Sequence, residues 1–298
     1  MWNRESFPNL KINTVIIINI LGGFGNQLFQ YALGRYLQTE NNCEVKYLSG
    51  DALRKPELDF LRSKVEFCTP AELSHARKES NAFLLLSRKL GSATKSRLKR
   101  AVIEDYGHPF DPEMLQIQHE CQLIGYWQTY LTTDPIRKIL LEEIQPKNPL
   151  SDGFEALKTE IRSAGNTASL HIRRGDYLDS TTNDVHGILP LSYYEQAVAF
   201  LVNKDPETRF YVFSDDISWA KANLTWIPNS TFVETASHYE DFFLMKECKH
   251  NIIANSSFSW WAAWLNENPG KTVVRPEKWF ANREFNALSF IPKDWITL

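Results

Sequence analysis

The chain has 298 residues, 43% hydrophobic and 23% charged, a balance typical of globular proteins that excludes long disorder. At ~100–200 residues per domain this length suggests roughly two domains, with a core large enough to need neither disulfide nor metal support. Lys plus Arg number 33 against 36 Asp plus Glu, a formal charge of −3, so there is no global electrostatic footprint for nucleic acid and none is expected as a partner.

The first 13 residues are polar and without period, and read as an extension. Residues 15–21 are a continuous, largely β-branched run of strand length, as expected for a strand buried on both faces. The run is far shorter than the ~20 residues that span a bilayer. No basic leader with a small-residue cleavage site precedes it, so a soluble, cytoplasmic chain is expected. Gly22, Gly23 and Gly25 then form a tight turn, followed at helical spacing by Leu28, Phe29, Ala32, Leu33, Tyr36 and Leu37. Strand, glycine turn and helix open an α/β unit, with residues 44–48 as its next strand.

Residues 50–125 are broken by Pro56, Pro70, Pro109 and Pro112 into short helical stretches. Within them, residues 88–100 carry six basic side chains (Arg88, Lys89, Lys95, Arg97, Lys99 and Arg100). A solvated helix face is the plain reading. The sharper one is peripheral contact with anionic lipid at the inner face of the membrane, at ~1 kcal/mol per basic residue. A helix over 134–144 leads to Pro146 and Pro149, the best linker. Thereafter strands at 168–172, 210–213, 231–233, 251–254 and 272–274 alternate with helices at 154–161, 191–202, 217–224, 240–248 and 258–265. That alternation predicts a doubly wound parallel sheet, whose ligands bind at the carboxyl ends of the strands. Cys43, Cys68, Cys121 and Cys248 are widely spaced and read as reduced thiols.

The segments just after the strands carry the chemistry. Gly22-Gly23-Phe24-Gly25-Asn26-Gln27 is not a dinucleotide fingerprint, because Leu28 stands where the third glycine belongs, even though Glu44 lies nineteen residues on from Gly25. It remains a bare turn that a ligand can approach at Gly25, with Asn26 offering donors at a helix start. In His171-Ile172-Arg173-Arg174-Gly175-Asp176-Tyr177, strand alternation puts His171 and Arg173 on one face. A guanidinium matches a phosphate by paired hydrogen bonds, while the plain alternative is an Arg174–Asp176 pair at a rim. In Phe213-Ser214-Asp215-Asp216, helix capping by Ser214 or Asp215 competes with a carboxylate that accepts from a ribose or a guanine edge. No Asp-x-Asp occurs, so a catalytic divalent ion is not expected. In Asn255-Ser256-Ser257-Phe258 a helix N-terminus offers N–H groups to a phosphate, while Trp260, Trp261 and Trp264 read as packing.

Together GGFGNQLFQYALG, GYWQTY, HIRRGDY, FSDD and HNIIANSSFSWWAAWLN resemble the α-1,2-fucosyltransferases of glycosyltransferase family 11, over about residues 15–280. Ala262 after Trp261 departs from the Trp-Gly common in that family, a change expected to touch only packing. The resemblance implies an α/β, GT-B-like fold of two Rossmann-like domains facing a cleft, here 1–147 on the acceptor side and 148–298 on the donor side. It implies a GDP-β-L-fucose donor, inversion at the anomeric carbon and no metal cofactor. By position, Arg173 would hold the β-phosphate with His171 beside the nucleotide. Asn255, Ser256, Ser257 and Phe258 would follow the diphosphate and base, and Asp215 or Asp216 would meet the nucleoside. Gly25 and Asn26 would face the donor from the other domain. The general base is Asp176, or His186 or Asp184 in the polar loop 178–190. The acceptor is a galactose-containing oligosaccharide, lipid-linked in the sharper reading. A non-catalytic nucleotide-sugar or glycan binder on the same scaffold is the competing class, disfavoured because a lectin has no use for a diphosphate cradle.

Overall fold

The computed structural model describes residues 15–49, 56–69, 72, 101–104, 110–175, 187–280 and 291–298. In the N-terminal half, strand β1 (Val15–Ile20) runs through the glycine turn into helix α1 (Phe24–Glu40) and on to β2 (Glu44–Ser49). Strands β3 (Ala101–Ile103) and β4 (Cys121–Ile124) follow, then helices α2 (Tyr130–Thr133) and α3 (Arg137–Glu143). Among the described residues these strands form a parallel sheet in the order β2-β1-β4-β3. The branched apolar run of β1 is buried at its centre, as its composition requires.

The C-terminal half begins with α4 (Asp152–Ser163), capped by Ser151, whose Oγ accepts the Phe154 N–H at 3.1 Å. It continues with β5 (Thr167–Ile172), α5 (Leu191–Lys204), β6 (Arg209–Ser214), α6 (Ile217–Asn223), β7 (Ser230–Phe232), α7 (His238–Glu247) and β8 (His250–Ile252). Helix α8 (Ser257–Leu265), β9 (Val273–Arg275) and β10 (Ile296–Thr297) complete it. The second parallel sheet has the order β10-β9-β8-β5-β6-β7, with every residue of β5 buried. Alternation along β5 sends Ala168, Leu170 and Ile172 into a cluster with α5 and α6. Ser169 and His171 therefore face the other side, where α7 and α8 lie.

A second, larger cluster runs from β1 and α1 into α7 and α8, so the two halves share one apolar core. Phe29 of α1 lies 4.6 Å from the Trp260 ring and 5.0 Å from that of Trp261, both indoles being fully buried. Phe24 meets Phe242 edge-on at 5.1 Å. At the margin of this core, Phe60 stacks on Tyr239 at 3.9 Å and 8°, and Glu57 meets His238 Nε2 at 2.6 Å. The segment at Pro146 is held in place: it bridges Leu61, and the Lys147 N–H donates to the Phe60 carbonyl at 3.0 Å. This is the α/β, GT-B-like layout the resemblance implies, with the carboxyl ends of both sheets turned toward one another.

The alternation expected after residue 150 is present, with bounds shifted by at most two residues. Three strands, β3, β4 and β10, were not anticipated, and α1 begins at Phe24, two residues before the Asn26 expected at its start. Cys43, Cys121 and Cys248 are buried free thiols, and Cys68 is half-buried. Among the described residues no helix is long and apolar enough to cross a membrane. The N-terminal extension and the basic stretch 88–100 lie outside the described residues.

The packing of α1 on α8 makes a sharp demand at Gly25. A β-carbon there would sit 2.5 Å from the Phe258 nitrogen and 2.5 Å from the Ser257 carbonyl carbon, and neither backbone atom can swing aside. Gly25→Ala is expected to destabilise the fold by about 1–3 kcal/mol in urea unfolding. Gly153→Ala, whose new methyl meets only Ser151 Oγ at 3.6 Å, should be neutral or stabilising by up to about 1 kcal/mol.

Candidate active site

At the edge of the second sheet, β5 ends at Ile172 and the chain continues through Arg173, Arg174 and Gly175. Asp215, from the end of the neighbouring β6, organises this turn. Its Oδ1 accepts the Arg174 N–H at 2.8 Å and its Oδ2 the Gly175 N–H at 2.9 Å. The same Oδ2 lies 3.1 Å from Arg173 Nη1. A β-carbon at Gly175 would stand 3.0 Å from Asp215 Oδ2, so a side chain there would press on this carboxylate. One carboxylate thus fixes both the turn and the guanidinium that follows the strand.

Asp216 is the N-cap of α6, accepting the Trp219 N–H at 3.1 Å, and Ser214 Oγ accepts the Asp216 N–H at 3.0 Å. The capping residue is therefore Asp216, not Ser214 or Asp215. Arg174 lies over the Trp219 ring at 3.8 Å and 3.7 Å from Asp216, so its partners come from α6. Both acidic residues of the FSDD segment are engaged by protein groups. Asp176, Asp184 and His186 lie outside the described residues.

His171 is buried beneath Phe258, with ring centroids 5.6 Å apart. Burial, and then the charge of Arg173, push its pKa down to about 3, so it is neutral at physiological pH. Its Nδ1 is a buried polar atom without a hydrogen-bond partner among the described residues. Asn255 is also buried, and its Nδ2 donates to the carbonyls of Gly187 at 3.1 Å and Trp279 at 3.3 Å. Ser256 caps α8, with Oγ 3.4 Å from the Phe258 nitrogen. Ser257 and Phe258 are half-buried, and the Phe258 ring sits between His171, Phe24, Phe242 and His238.

Opposite stands the edge of the first sheet. Gly22, at φ +72°, is in the left-handed region that favours glycine. A β-carbon on it would be 2.9 Å from Asn26 Nδ2 and 3.1 Å from the Tyr126 ring. Gln27 and Gln30, both buried, brace this turn. Gln27 Nε2 donates to the Gly22 carbonyl at 3.0 Å, and its Oε1 accepts the Glu57 N–H at 2.7 Å. Gln30 Oε1 accepts the Leu21 N–H at 2.9 Å, and its Nε2 donates to the Gly125 carbonyl at 2.9 Å. The turn after β4 closes on Glu104, which accepts the N–H groups of Tyr126 at 2.6 Å and Trp127 at 3.1 Å. Burial raises the Glu104 pKa. Trp127 is held at φ +55°, a strained conformation for a bulky residue.

Gly25 joins the two edges. The first turns of α1 and α8 lie backbone against backbone, and neither carries an acidic residue. The space bared at Gly25 is filled by Ser257 and Phe258, so this glycine serves helix packing. Two helix N-termini, each with partial positive charge, meet here, and His171, two residues before Arg173, packs on Phe258 in the first turn of α8.

A parallel α/β frame with a cationic, serine-flanked rim is the setting in which a transferase can hold an anionic leaving group. The comparisons with known proteins narrow this class. The model of glycosyl transferase family 11 matches residues 94–298. The O-antigen biosynthesis glycosyltransferase WbnK of Escherichia coli is 32% identical, over 93% of this chain and 98% of its own. An alpha-1,2-colitosyltransferase of Escherichia coli is 30% identical, over 96% and 99% of the two chains. The mouse galactoside alpha-(1,2)-fucosyltransferase 1 is 27% identical over 65% of this chain and 53% of its own. Among solved structures, the fucosyltransferase NodZ from Bradyrhizobium aligns over 84% of this chain and 92% of its own, at 13% identity and a TM-score of 0.49. The chain belongs to glycosyltransferase family 11.

The sequence reading passed over the segment after β7. Asp241, in the first turn of α7, accepts the Thr235 Oγ1 proton at 2.7 Å, and burial raises its pKa from the ordinary 3.8 to about 6. A signal was present in the sequence: Thr235 and Ser237 precede an acidic pair at a strand-to-helix junction. Between about pH 4 and 6 the folded state keeps a proton that the unfolded chain has released. The stability this adds is present at low pH and is lost as pH rises through 6. Asp241→Asn, which keeps the acceptor for Thr235, should therefore raise Tm at pH 8, the two melting curves converging near pH 4.

Proposed function

We propose that this family 11 glycosyltransferase moves L-fucose from GDP-β-L-fucose to the 2-hydroxyl of a terminal β-galactoside with inversion, in the assembly of a surface glycan such as O-antigen. The observation that carries this reading is the junction of the halves: two acid-free helix N-termini in backbone contact, with His171 of β5 packed on Phe258 and, two residues on, an arginine that Asp215 holds in place. In the reaction the bond from the sugar C1 to the β-phosphate oxygen breaks, and its electron pair stays on GDP. The acceptor oxygen forms the new bond to C1 from the opposite face, and its proton passes to a base, Asp176 or, in the polar loop, His186 or Asp184. Arg173 and the α8 amides take up the charge that develops on the diphosphate, the task a metal ion performs elsewhere. Asn26 reaches the donor from the edge of the first sheet. In this reading residues 1–147 serve the acceptor and 148–298 the donor.

The linkage and the acceptor class are supported by the names of the fucosyl and colitosyl relatives. The colitosyltransferase, which matches nearly the whole chain, favours one second reading: a colitose donor in the same site. A non-catalytic binder would hold GDP-fucose without releasing GDP when lactose is added.

Arg173→Ala should lower turnover of GDP-fucose with lactose by ~10²- to 10³-fold, the usual cost of removing one donor from a developing oxyanion. Arg173→Lys should fare little better, since a point charge lacks the planar fork. EDTA should leave the wild-type rate unchanged. Near-normal turnover of the alanine variant would reject the assignment, and preference for GDP-colitose over GDP-fucose would move the donor to the second reading. The product linkage is read by NMR.

A further inference from the structure

We propose that Gln128 and Glu104 are positioning residues for Asn26, a role that rests on the reading above in which Asn26 reaches the donor. An asparagine amide can present either its oxygen or its nitrogen, and only the nitrogen can donate to an anion. Gln128 Nε2 donates to Asn26 Oδ1 at 2.8 Å, which commits the oxygen to the protein. Nδ2 is left on the opposite branch, over the bare α-carbon of Gly22. The amide is thereby set as a donor before any ligand arrives.

Gln128 can do this only because the turn before it is fixed. Both oxygens of Glu104 lie 3.1 Å from the Trp127 nitrogen, and Oε2 also accepts the Tyr126 N–H at 2.6 Å. Gly125 lets the Glu104 side chain close against its α-carbon, where a β-carbon would collide. Successive N–H groups wrapped around one anion form a nest, and here the anion belongs to the chain itself. Gln30 binds the same turn to Leu21 and so keeps the β4 and β1 loops in register. The relay runs from Glu104 through the backbone of 125–127 to Gln128 and then to Asn26. Neither Glu104 nor Gln128 needs to touch substrate.

The test is a double-mutant cycle with GDP-fucose and lactose. Gln128→Glu is nearly isosteric but cannot donate, so it turns the Asn26 amide around. It should lower kcat about 10- to 100-fold, the range for a lost hydrogen bond to a charged group, with KM for lactose unchanged. Asn26→Ala should lower kcat by a similar or larger factor. In the Asn26→Ala background, Gln128→Glu and Glu104→Gln should each have little further effect, because their influence passes through the missing amide. Thermal melts run beside the kinetics, and Gln128→Met replaces any variant that fails to fold. If the effects of Gln128 and Asn26 multiply independently, the positioning role is overturned. If Asn26→Ala alone turns over normally, the reading of Asn26 beneath it fails instead.

Discussion

The structure depends on one close contact, that of the first turn of α1 with the first turn of α8. Gly25 allows it, because any side chain there would meet the backbone of Ser257 and Phe258. The contact sets the distance between the two sheets and turns their carboxyl ends toward each other. It also brings together two helix N-termini whose unsatisfied amides favour negative charge. The apolar ring of Phe29, Trp260 and Trp261 behind it supplies the burial that holds the helices in place.

Around this junction, charged and polar side chains serve mainly to orient other groups. Asp215 closes the turn after β5 and steers Arg173. Glu104 does the same for the turn after β4, and Gln27 and Gln30 for the turn after β1. In each case, among the described residues, a side chain from one strand or helix satisfies the backbone of a neighbouring turn and so fixes it in place. This is how a site on loops gains the precision of a site on strands.

The C-terminal half was largely legible in the sequence. Short runs of strand-forming residues alternate there with helix-length segments, and that alternation fixes type and order. The strands β3 and β4 were not legible: Ala101–Ile103 and Cys121–Ile124 are three or four residues long, β4 is defined by pairing with β1 across more than a hundred residues, and β3 by pairing with β4 in turn. The motif positions were readable, but the partners were not. A glycine in sequence signals room, without saying whether ligand, side chain or backbone fills it, and Gly25 shows that backbone can. An acid beside a strand end signals an acceptor, without saying for what. Asp215 answers to Arg173 and two amides because β5 and β6 are adjacent, a fact of topology.

The stack of Phe60 on Tyr239, beside the Glu57–His238 pair, has a bearing on how the halves are held. With an aromatic sandwich at the rim and a common core beneath, the halves cannot swing apart like a clam shell without exposing buried rings to water. The spacing of the two sheets is therefore set by the packed core.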